Sequence, residues 1–451
     1  MVAGARTWLD RLGDRPLAVE TGRVSRVTGL TLEARGLTAP IGELCCLSDG
    51  AGSRRLAEVV GFREGRLLLM PLADVAGIGP GDRIWSTGQP ARVPVGGELL
   101  GRVLGPLGEP LDGRGRVAAE GQIPVLRQPP PAMARSLIRE PLVTGVRVID
   151  GVLTCGQGQR LGIFAGSGVG KSTLLGMIAR STEADVNVIG LVGERGREVQ
   201  EFIQRDLGPA GLARSVVVVA TSDAPPLLRR QAALLATSLA EYFRDRGQTV
   251  LLMIDSLTRF AMAQREIGLA VGEPPATRGY PPSAFALLPQ LLERAGPGAG
   301  AGSITGLYAV LVEGDDMNEP VADAARAILD GHIVLSRALT DRGHYPSVDV
   351  LASVSRVMPS VTTAEHLTAA SRMREALGAA RDVEDLVRIG AYVAGSDPRA
   401  DWALAHLEPM QAFLRQAVDQ PTAFAETVRA LEAIWSADKA TGQGAARKAK
   451  A

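Results

Sequence analysis

A glycine-rich run near residue 170 joins an apolar segment to a helical segment and leaves few folds open to the chain. Residues 160–164 have the apolar pattern of a strand, and residues 174–178 begin a helix. The run consists of Gly166, Ser167, Gly168, Val169, Gly170, Lys171, Ser172 and Thr173. Glycines let the backbone curl so that successive N–H groups point at phosphate oxygens, and the helix adds its positive N-terminal end. The sequence therefore predicts a phosphate-binding loop in an α/β fold.

One position of this loop differs from the usual motif. The motif G-x-x-x-x-G-K-[ST] begins with glycine, and the chain has Ala165 there. The glycines that remain still permit the curl. In a loop of this kind Lys171 reaches the β and γ phosphates of ATP, and the hydroxyl of Ser172 binds Mg²⁺. We therefore expect the chain to bind ATP together with Mg²⁺.

An acidic residue closes a second apolar strand. Residues 250–254 are apolar and are followed by Asp255. In a parallel sheet, ligands lie beyond the carboxyl ends of the strands. An acid after a strand is more often a helix cap, but the phosphate loop makes Mg²⁺ binding, through water, the better interpretation of Asp255.

Hydrolysis also needs a group that orients water and a cation near the transferred phosphoryl group. The segment GERGRE follows an apolar strand at residues 186–192, again at a carboxyl end. Glu194 is our candidate for the base, and Arg195 is our candidate for a contact with the γ phosphate. A surface cluster of ion pairs is the usual explanation of such a segment, but its place after the strand favours a functional role.

The pattern of strands and turns changes along the chain. Short strands separated by glycine predict a small barrel or sandwich, and a stretch rich in glycine and proline follows it. Strands then alternate with helices, which predicts a parallel sheet covered on both faces. We predict an N-terminal segment at 1–20, a β-barrel domain at 21–95, a linker at 96–143, a RecA-like P-loop ATPase domain at 144–362, a helical domain at 363–437 and a disordered tail at 438–451.

Composition argues against two classes of function. The formal net charge is zero and the aromatic share is 4%, which is not typical of a nucleic-acid-binding surface. No apolar run reaches the roughly 20 residues that span a bilayer, and charges interrupt the N-terminal residues. The cysteines Cys45, Cys46 and Cys155 lack metal-site spacing, so reduced thiols are the simpler interpretation. We expect a cytoplasmic protein.

Several longer segments extend this interpretation from a motif to a family. They are GIFAGSGVGKSTLL, GERGREV, LLMIDSLTRFAMAQREIG, EGDDMNEP, ILDGHIVLSRAL and SVSRVM. They resemble the rotary-type ATPases, which include the α and β subunits of ATP synthase, and most closely the ATPases of flagellar protein export. The resemblance covers nearly the whole chain and is strongest from about residue 144 to residue 359. Virulence-type secretion ATPases tend to carry alanines where this chain has Gly166, Ser167 and Gly168, which favours the flagellar branch.

The resemblance implies roles for individual residues. Glu194 corresponds to the glutamate that activates water, and Arg356 corresponds to an arginine finger offered to the nucleotide of the neighbouring subunit. Tyr345 corresponds to a tyrosine that stacks on adenine, and Phe413 is the candidate for the other wall of that pocket. Arg259 corresponds to an arginine near the phosphates.

The resemblance also implies partners. Asp315 and Asp316 correspond to a loop that faces the central channel of a ring, where a stalk-like partner passes. The first 20 residues, around Trp8 and Leu12, correspond to a docking segment for a stator-like regulator. Export chaperones, export substrates and, indirectly, the membrane export gate are further expected partners. This implies a location at the cytoplasmic face of the membrane export apparatus, and no nucleic-acid partner.

The presence of both Glu194 and Arg356 in one chain bears on assembly. In ATP synthase the catalytic glutamate and the finger come from different kinds of subunit at each working interface. Copies of this chain can complete every interface alone, which predicts a homohexamer with a site at each junction.

Three other interpretations remain open at this stage. The first is a catalytic subunit of a rotary ATP synthase, which shares most of these motifs. The second is a transcription-termination helicase, although the N-terminal strands lack the aromatic and basic residues that RNA stacking needs. The third is a nucleotide-binding regulator without turnover, against which Lys171, Glu194 and Arg356 all argue.

Overall fold

The computed structural model describes residues 20–48, 54–312, 314 and 316–436. The chain divides into two compact units, one of residues 1–92 with 267–273 and one of residues 93–266 with 274–451. Residues 1–19 of the predicted docking segment and the whole predicted tail at 438–451 lie outside the described residues. Within the described ranges, no helix has the length and apolar character needed to cross a membrane.

The first unit contains a closed β-barrel, which confirms that prediction. Its strands are β1 (Thr21–Thr28), β2 (Thr31–Arg35), β3 (Glu43–Ser48), β4 (Arg54–Arg63), β5 (Arg66–Pro71) and β6 (Arg83–Pro90). They run in the order β1-β2-β5-β4-β3-β6, and β6 pairs with β1 to close the barrel. Alternate residues point inward, so that Cys45 and Leu47 of β3 are buried and Cys46 is only partly buried. The inward residues form one apolar core with Leu32 and Leu69.

The second unit is built on a mostly parallel sheet. A ribbon of β7 (Arg92–Val95) and β9 (Gly121–Pro124) lies apart from it. The sheet contains β8 (Arg102–Leu104), β10 (Arg160–Ala165), β11 (Val186–Glu194), β12 (Ser215–Thr221), β13 (Thr249–Asp255), β14 (Gly296–Pro297), β15 (Ser303–Leu311), β16 (Gly331–Leu335) and β17 (Val348–Ser355). The order is β17-β16-β10-β15-β13-β11-β12-β8, with β14 beside β15. Strands β11, β12 and β13 are buried almost throughout because helices cover both faces.

Helices connect the strands and complete the chain. They are α1 (Arg147–Val152), α2 (Lys171–Ser181), α3 (Gly196–Glu201), α4 (Gly208–Ala213), α5 (Pro226–Arg244), α6 (Leu257–Val271), α7 (Pro282–Leu292), α8 (Pro320–Ile328), α9 (Arg337–Asp341), α10 (Met358–Val361), α11 (Ala364–Arg388), α12 (Pro398–Ala405), α13 (Leu407–Leu414) and α14 (Phe424–Ile434). A π-helical turn at Phe202–Leu207 joins α3 to α4. The C-terminal helices share a core in which Trp402 stacks on Trp435 with ring centroids 5.5 Å apart. The predicted helical region is thus confirmed.

The segment predicted as a linker contributes to the sheet. Strand β8 lies within residues 96–143 and pairs in parallel with β12 at the sheet edge. Arg102 holds this strand in place, because its Nε lies 2.6 Å from a carboxylate oxygen of Asp112. Three residues among many glycines and prolines are too few for a recognisable strand pattern, so the sequence interpretation missed β8.

Candidate active site

The phosphate loop connects β10 to α2. Gly168 and Gly170 have φ angles of +77° and +91°, in the left-handed region that favours glycine. No atom lies within 4 Å of a Cβ built on Gly168, so its backbone conformation, and not lack of space, requires glycine. Gly170 is the N-cap of α2, which begins at Lys171. The loop therefore presents its N–H groups at the positive end of an eleven-residue helix.

Two side chains hold the loop in this shape. The Ser347 hydroxyl donates to the carbonyl oxygen of Val169 at 2.6 Å, and Arg337 Nη2 donates to that of Ser167 at 3.0 Å. Ala165, which departs from the motif, is still the last residue of β10 and pairs with Leu311. Its extended backbone does not require glycine, which explains why the loop tolerates the departure.

Three charged side chains from three strand ends meet in front of the loop. Lys171 follows β10, Glu194 ends β11 and Asp255 ends β13. Lys171 Nζ contacts Asp255 Oδ1 and lies 3.4 Å from Glu194 Oε1. The side chains are 11%, 18% and 4% exposed in the order Lys171, Glu194 and Asp255. The parallel sheet thus brings together the residues predicted for phosphate binding, water activation and metal binding.

Burial and the neighbouring charges shift the pKa values of the side chains in this cluster. Burial and, next, the charge of Asp255 raise the pKa of Glu194 to about 7, although the charge of Lys171 opposes the rise. Burial lowers the pKa of Lys171, but the charges of Asp255 and Glu194 outweigh this effect and raise it overall. Lys171 therefore remains a cation, and Glu194 can exchange a proton near neutral pH, as a general base must.

The oxygen atoms of Ser172 and Asp255 suit Mg²⁺. Ser172 is exposed in the first turn of α2, and Asp255 lies at the end of β13, which β15 separates from β10. Mg²⁺ prefers oxygen ligands and is usually bound by one or two protein groups together with water and substrate phosphates. Among the described residues, no group of three or more His, Cys, Asp or Glu residues can hold a metal by itself. The donor set therefore fits an ion that arrives with a nucleotide.

The two arginines predicted near the phosphates are placed differently. The Arg195 side chain is 81% exposed, and its Nη1 lies 3.3 Å from Glu198 Oε1. Arg259 packs its stem against Gly193, where an added Cβ would lie 2.9 Å from Arg259 Cβ. Arg259 Nε is buried and has no hydrogen-bond partner among the described residues. Arg259 thus lies beside the cluster, whereas Arg195 points to solvent.

Tyr345 lies beside the phosphate loop. A Cβ added to Gly170 would be 3.8 Å from the Tyr345 ring, which is 45% exposed. The main chain around Tyr345 is fixed, because its carbonyl oxygen accepts from the N–H of Gln416 at 3.0 Å. An exposed ring next to the loop is available for stacking on a base.

Phe413, predicted as the other wall of an adenine pocket, lies elsewhere. Its side chain is only 5% exposed and belongs to the apolar core. Its ring occupies the space above Gly151, where an added Cβ would lie 2.7 Å from the ring. The structure corrects the prediction, since Phe413 lies in the core and offers no exposed face. Gln416 of the same segment is the residue that approaches Tyr345.

Arg356 and the phosphate loop lie at opposite ends of the parallel strands. Ser355 at the end of β17 pairs with Gly331, the first residue of β16. Since β16 is parallel to β10, Arg356 lies at the amino ends of these strands, and the loop follows the carboxyl end of β10. The six residues of β10 span about 20 Å. Arg356, which is exposed, therefore cannot reach the phosphate loop of its own chain.

The predicted channel loop is described only in part. Asp315 lies outside the described residues. Asp316 Oδ2 lies 3.3 Å from Arg278 Nη2, and both side chains are about half exposed. Arg278 has a φ of +47°, which is uncommon for a residue with a side chain. The ion pair links the segment after β15 to the turn before α7.

Comparison with known proteins places this site in a family. The descriptions "ATP synthase alpha/beta family, beta-barrel domain", "ATP synthase alpha/beta family, nucleotide-binding domain" and "T3SS EscN ATPase C-terminal domain" match residues 24–88, 145–355 and 362–433. The flagellum-specific ATP synthase of Bacillus subtilis is 55% identical over 417 residues, which are 92% of this chain and 94% of that protein. The chain belongs to the ATP synthase α/β family. Within this family it is an ATPase of the flagellar and type III secretion branch.

Two further members of this branch are similar over most of their length. The type 3 secretion system ATPase of Xanthomonas euvesicatoria is 52% identical over 414 residues, which are 92% of this chain and 93% of that protein. The structure of the assembled ATPase EscN in complex with its central stalk EscO, from enteropathogenic E. coli, superposes with a TM-score of 0.85. EscN is 44% identical, and the match covers 92% of this chain and 99% of EscN.

Sequence reasoning missed the residues that support the site of this ATPase family member. Ser347, Arg337 and Gln416 hold the loop and Tyr345 through hydrogen bonds to main-chain atoms. Such contacts join segments that are far apart in sequence, and no local sequence motif predicts them. The segment HYPSVD, which contains Tyr345 and Ser347, was the nearest available signal.

Proposed function

We propose that this ATPase hydrolyses Mg·ATP to energise flagellar type III protein export, by releasing chaperones and by unfolding or delivering export substrates. The observation that carries the proposal is the meeting of Lys171, Glu194 and Asp255 in front of a loop of the phosphate-binding type. The name of the Bacillus subtilis relative supports the flagellar assignment.

The geometry supports a division of labour among these residues. Lys171 and the loop N–H groups bind the β and γ phosphates, and Ser172 and Asp255 would hold Mg²⁺. The bound ion would offset the negative charge of the phosphate groups. Glu194 accepts a proton from water as the water oxygen forms a bond to the γ phosphorus, and the bond to ADP breaks. Arg259, which packs beside Gly193 next to Glu194, is the arginine that we propose for a contact with a phosphate oxygen, whereas the exposed Arg195 must change its side-chain conformation to make one.

Assembly completes the site in this proposal. Arg356 lies at the sheet edge remote from its own loop, so it serves the nucleotide of a neighbouring copy in a homohexamer. An arginine supplied by a neighbour contributes about 10³ to 10⁵ in rate in other NTPases. The monomer is therefore expected to be slow. EscN, for which an assembled structure is known, is a relative in which such contacts can form.

The comparison with EscN supports one of the proposed partners. EscN binds a central stalk, EscO, and we propose that Asp316 and its loop face an equivalent stalk-like partner in the ring channel. A stator-like regulator at the N-terminal segment, export chaperones and substrates, and peripheral attachment to the membrane export gate belong to the proposal as well. Nucleic acid is not among the proposed partners.

Virulence-type secretion is the second candidate, favoured by the 52% identity to the Xanthomonas euvesicatoria ATPase. An in vivo experiment separates the two. Lys171→Ala in the chromosomal gene is expected to abolish swimming and the export of flagellar subunits. Normal swimming, with loss of a different secreted protein set, would overturn the flagellar assignment and leave the ATPase activity standing.

A further inference from the structure

We propose that Gln416 is a positioning residue that holds Tyr345 in place for adenine, an inference that rests on the proposed adenine contact of Tyr345. Gln416 lies in the turn after α13 and is buried. Its main-chain N–H donates to the carbonyl oxygen of Tyr345 at 3.0 Å. The C-terminal helical region thereby contacts the residue beside the phosphate loop.

The side chain of Gln416 fixes the main chain that makes this contact. Its Oε1 accepts from the N–H of Arg147 at 2.7 Å, and its Nε2 donates to the carbonyl oxygens of Gly145 and Gln420 at 2.8 and 2.7 Å. Arg147 is the first residue of α1, so Gln416 also satisfies an N–H group that has no partner within its helix. A buried amide with both its donor and acceptor atoms bonded has one orientation.

Tyr345 is held from a second side by the phosphate loop. Two residues further on, the buried hydroxyl of Ser347 donates to the carbonyl oxygen of Val169. The Tyr345 ring itself is half exposed, so its orientation depends on these main-chain anchors rather than on packing. Gln416 provides the anchor on the side of the C-terminal helices. Loss of this anchor lets the ring move relative to the base while the loop stays bound to Ser347.

A purely structural role for Gln416 makes a different prediction. Gly145 and Arg147 lie in the segment that leads into α1, and Gln416 could simply dock the C-terminal helices on it. A docking defect would disturb the whole site and weaken every ligand. A positioning defect acts only on the base, because the phosphate loop has its own anchors. A ligand with phosphates but no base therefore distinguishes the two roles.

The test uses full-length Gln416→Ala and Gln416→Glu proteins, with Tyr345→Ala as reference and exposed Gln420→Ala as control. The glutamate variant keeps the size and the acceptor oxygen but loses both donors, and it carries the test if the alanine variant does not fold. Binding of Mg·ATP and of Mg·tripolyphosphate is measured by calorimetry. We expect ATP affinity to fall about 5- to 30-fold in the Gln416 variants and in Tyr345→Ala. Tripolyphosphate affinity should stay within about twofold, and Gln420→Ala should match the wild type.

Three results would overturn the proposal. Equal weakening of ATP and tripolyphosphate would show a structural role for Gln416. Weakening of ATP in Tyr345→Ala alone would show that Tyr345 contacts the base without help from Gln416. Unchanged ATP binding in both sets of variants would show that Tyr345 does not contact adenine. That result would overturn both this inference and that part of the proposed function.

Discussion

Lys171 Nζ lies 3.4 Å from Glu194 Oε1, although the two residues follow different strands of the sheet. Strands β15 and β13 separate β10 from β11, so the contact exists only because both side chains turn toward the same sheet edge. The phosphate-binding cation and the proposed base are therefore electrostatically linked. A change at either residue therefore alters the pKa of the other.

Replacement of Lys171 is expected to remove hydrolysis. Lys171→Ala deletes the cation that binds the transferred phosphates, and hydrolysis should fall by about 100-fold or more. Phosphate release measured at saturating Mg·ATP checks this. Arg205, an exposed cation in the turn after α3, provides the control, and Arg205→Ala should keep wild-type activity. Comparable activity in the two variants would contradict the assigned role of Lys171.

The pH dependence of hydrolysis should report Glu194. Its pKa is raised to about 7, so the carboxylate required of a base is lost as the pH falls below that value. We expect kcat/KM to decrease about tenfold per pH unit below about pH 7 and to level off above it. Initial rates from about pH 5.5 to pH 8.5 test this. A flat wild-type profile through neutrality would exclude Glu194 as the titrating base.

Arg356 should act on a neighbouring subunit. Arg356→Ala alone and Glu194→Gln alone should each lose about 10³ or more in rate. A mixture of the two contains junctions in which an intact Glu194 faces an intact Arg356, so activity should return on mixing and disappear again on dilution. Mixtures of each variant with itself serve as controls. Absence of recovery in rings shown to contain both variants would contradict a shared site.

Removing one partner of a buried ion pair is expected to destabilise the second unit. Arg294 Nε and Nη2 donate to the carboxylate of Glu241 at 2.9 and 2.8 Å, and both side chains are nearly inaccessible. Glu241→Ala leaves the guanidinium without its main partner, which should cost about 3–5 kcal/mol in the free energy of unfolding. Urea-induced unfolding measures the loss. In the exposed pair of Arg388 and Asp385, Asp385→Ala should cost less than about 1 kcal/mol. Similar losses at the two pairs would contradict this account.

The sequence predicted the elements that carry a local pattern. The phosphate loop, Glu194 and Asp255 each follow an apolar strand, and a parallel sheet brings such strand ends to one edge. Their meeting in front of α2 was therefore predictable from the sequence. The barrel and the helical region were predictable for the same reason, because periods of two and 3.6 residues are visible in the chain.

The features of the fold and the site that the sequence did not predict depend on contacts between segments far apart in the chain. Strand β8 has three residues and gains its identity only by pairing with β12. Phe413 and Gln416 are three positions apart in one segment, yet one fills the core and the other reaches Tyr345. Both side chains are buried, and no local pattern decides which of them packs in the apolar core and which hydrogen-bonds to main-chain atoms. Strand β17 runs antiparallel to β16 and so places Arg356 at the amino ends of the parallel strands. This strand direction was likewise not visible in the sequence.

The measurement that bears most directly on the site is calorimetry of Mg·ATP with the wild type, Lys171→Ala and Glu194→Gln, paired with phosphate release. Because Glu194 is assigned to proton transfer and Lys171 to phosphate binding, the two variants should behave differently. We predict that Glu194→Gln binds Mg·ATP about as tightly as the wild type without releasing phosphate, whereas Lys171→Ala neither binds nor hydrolyses it. Undiminished phosphate release by Glu194→Gln, or no heat of Mg·ATP binding by the wild type, would contradict the account.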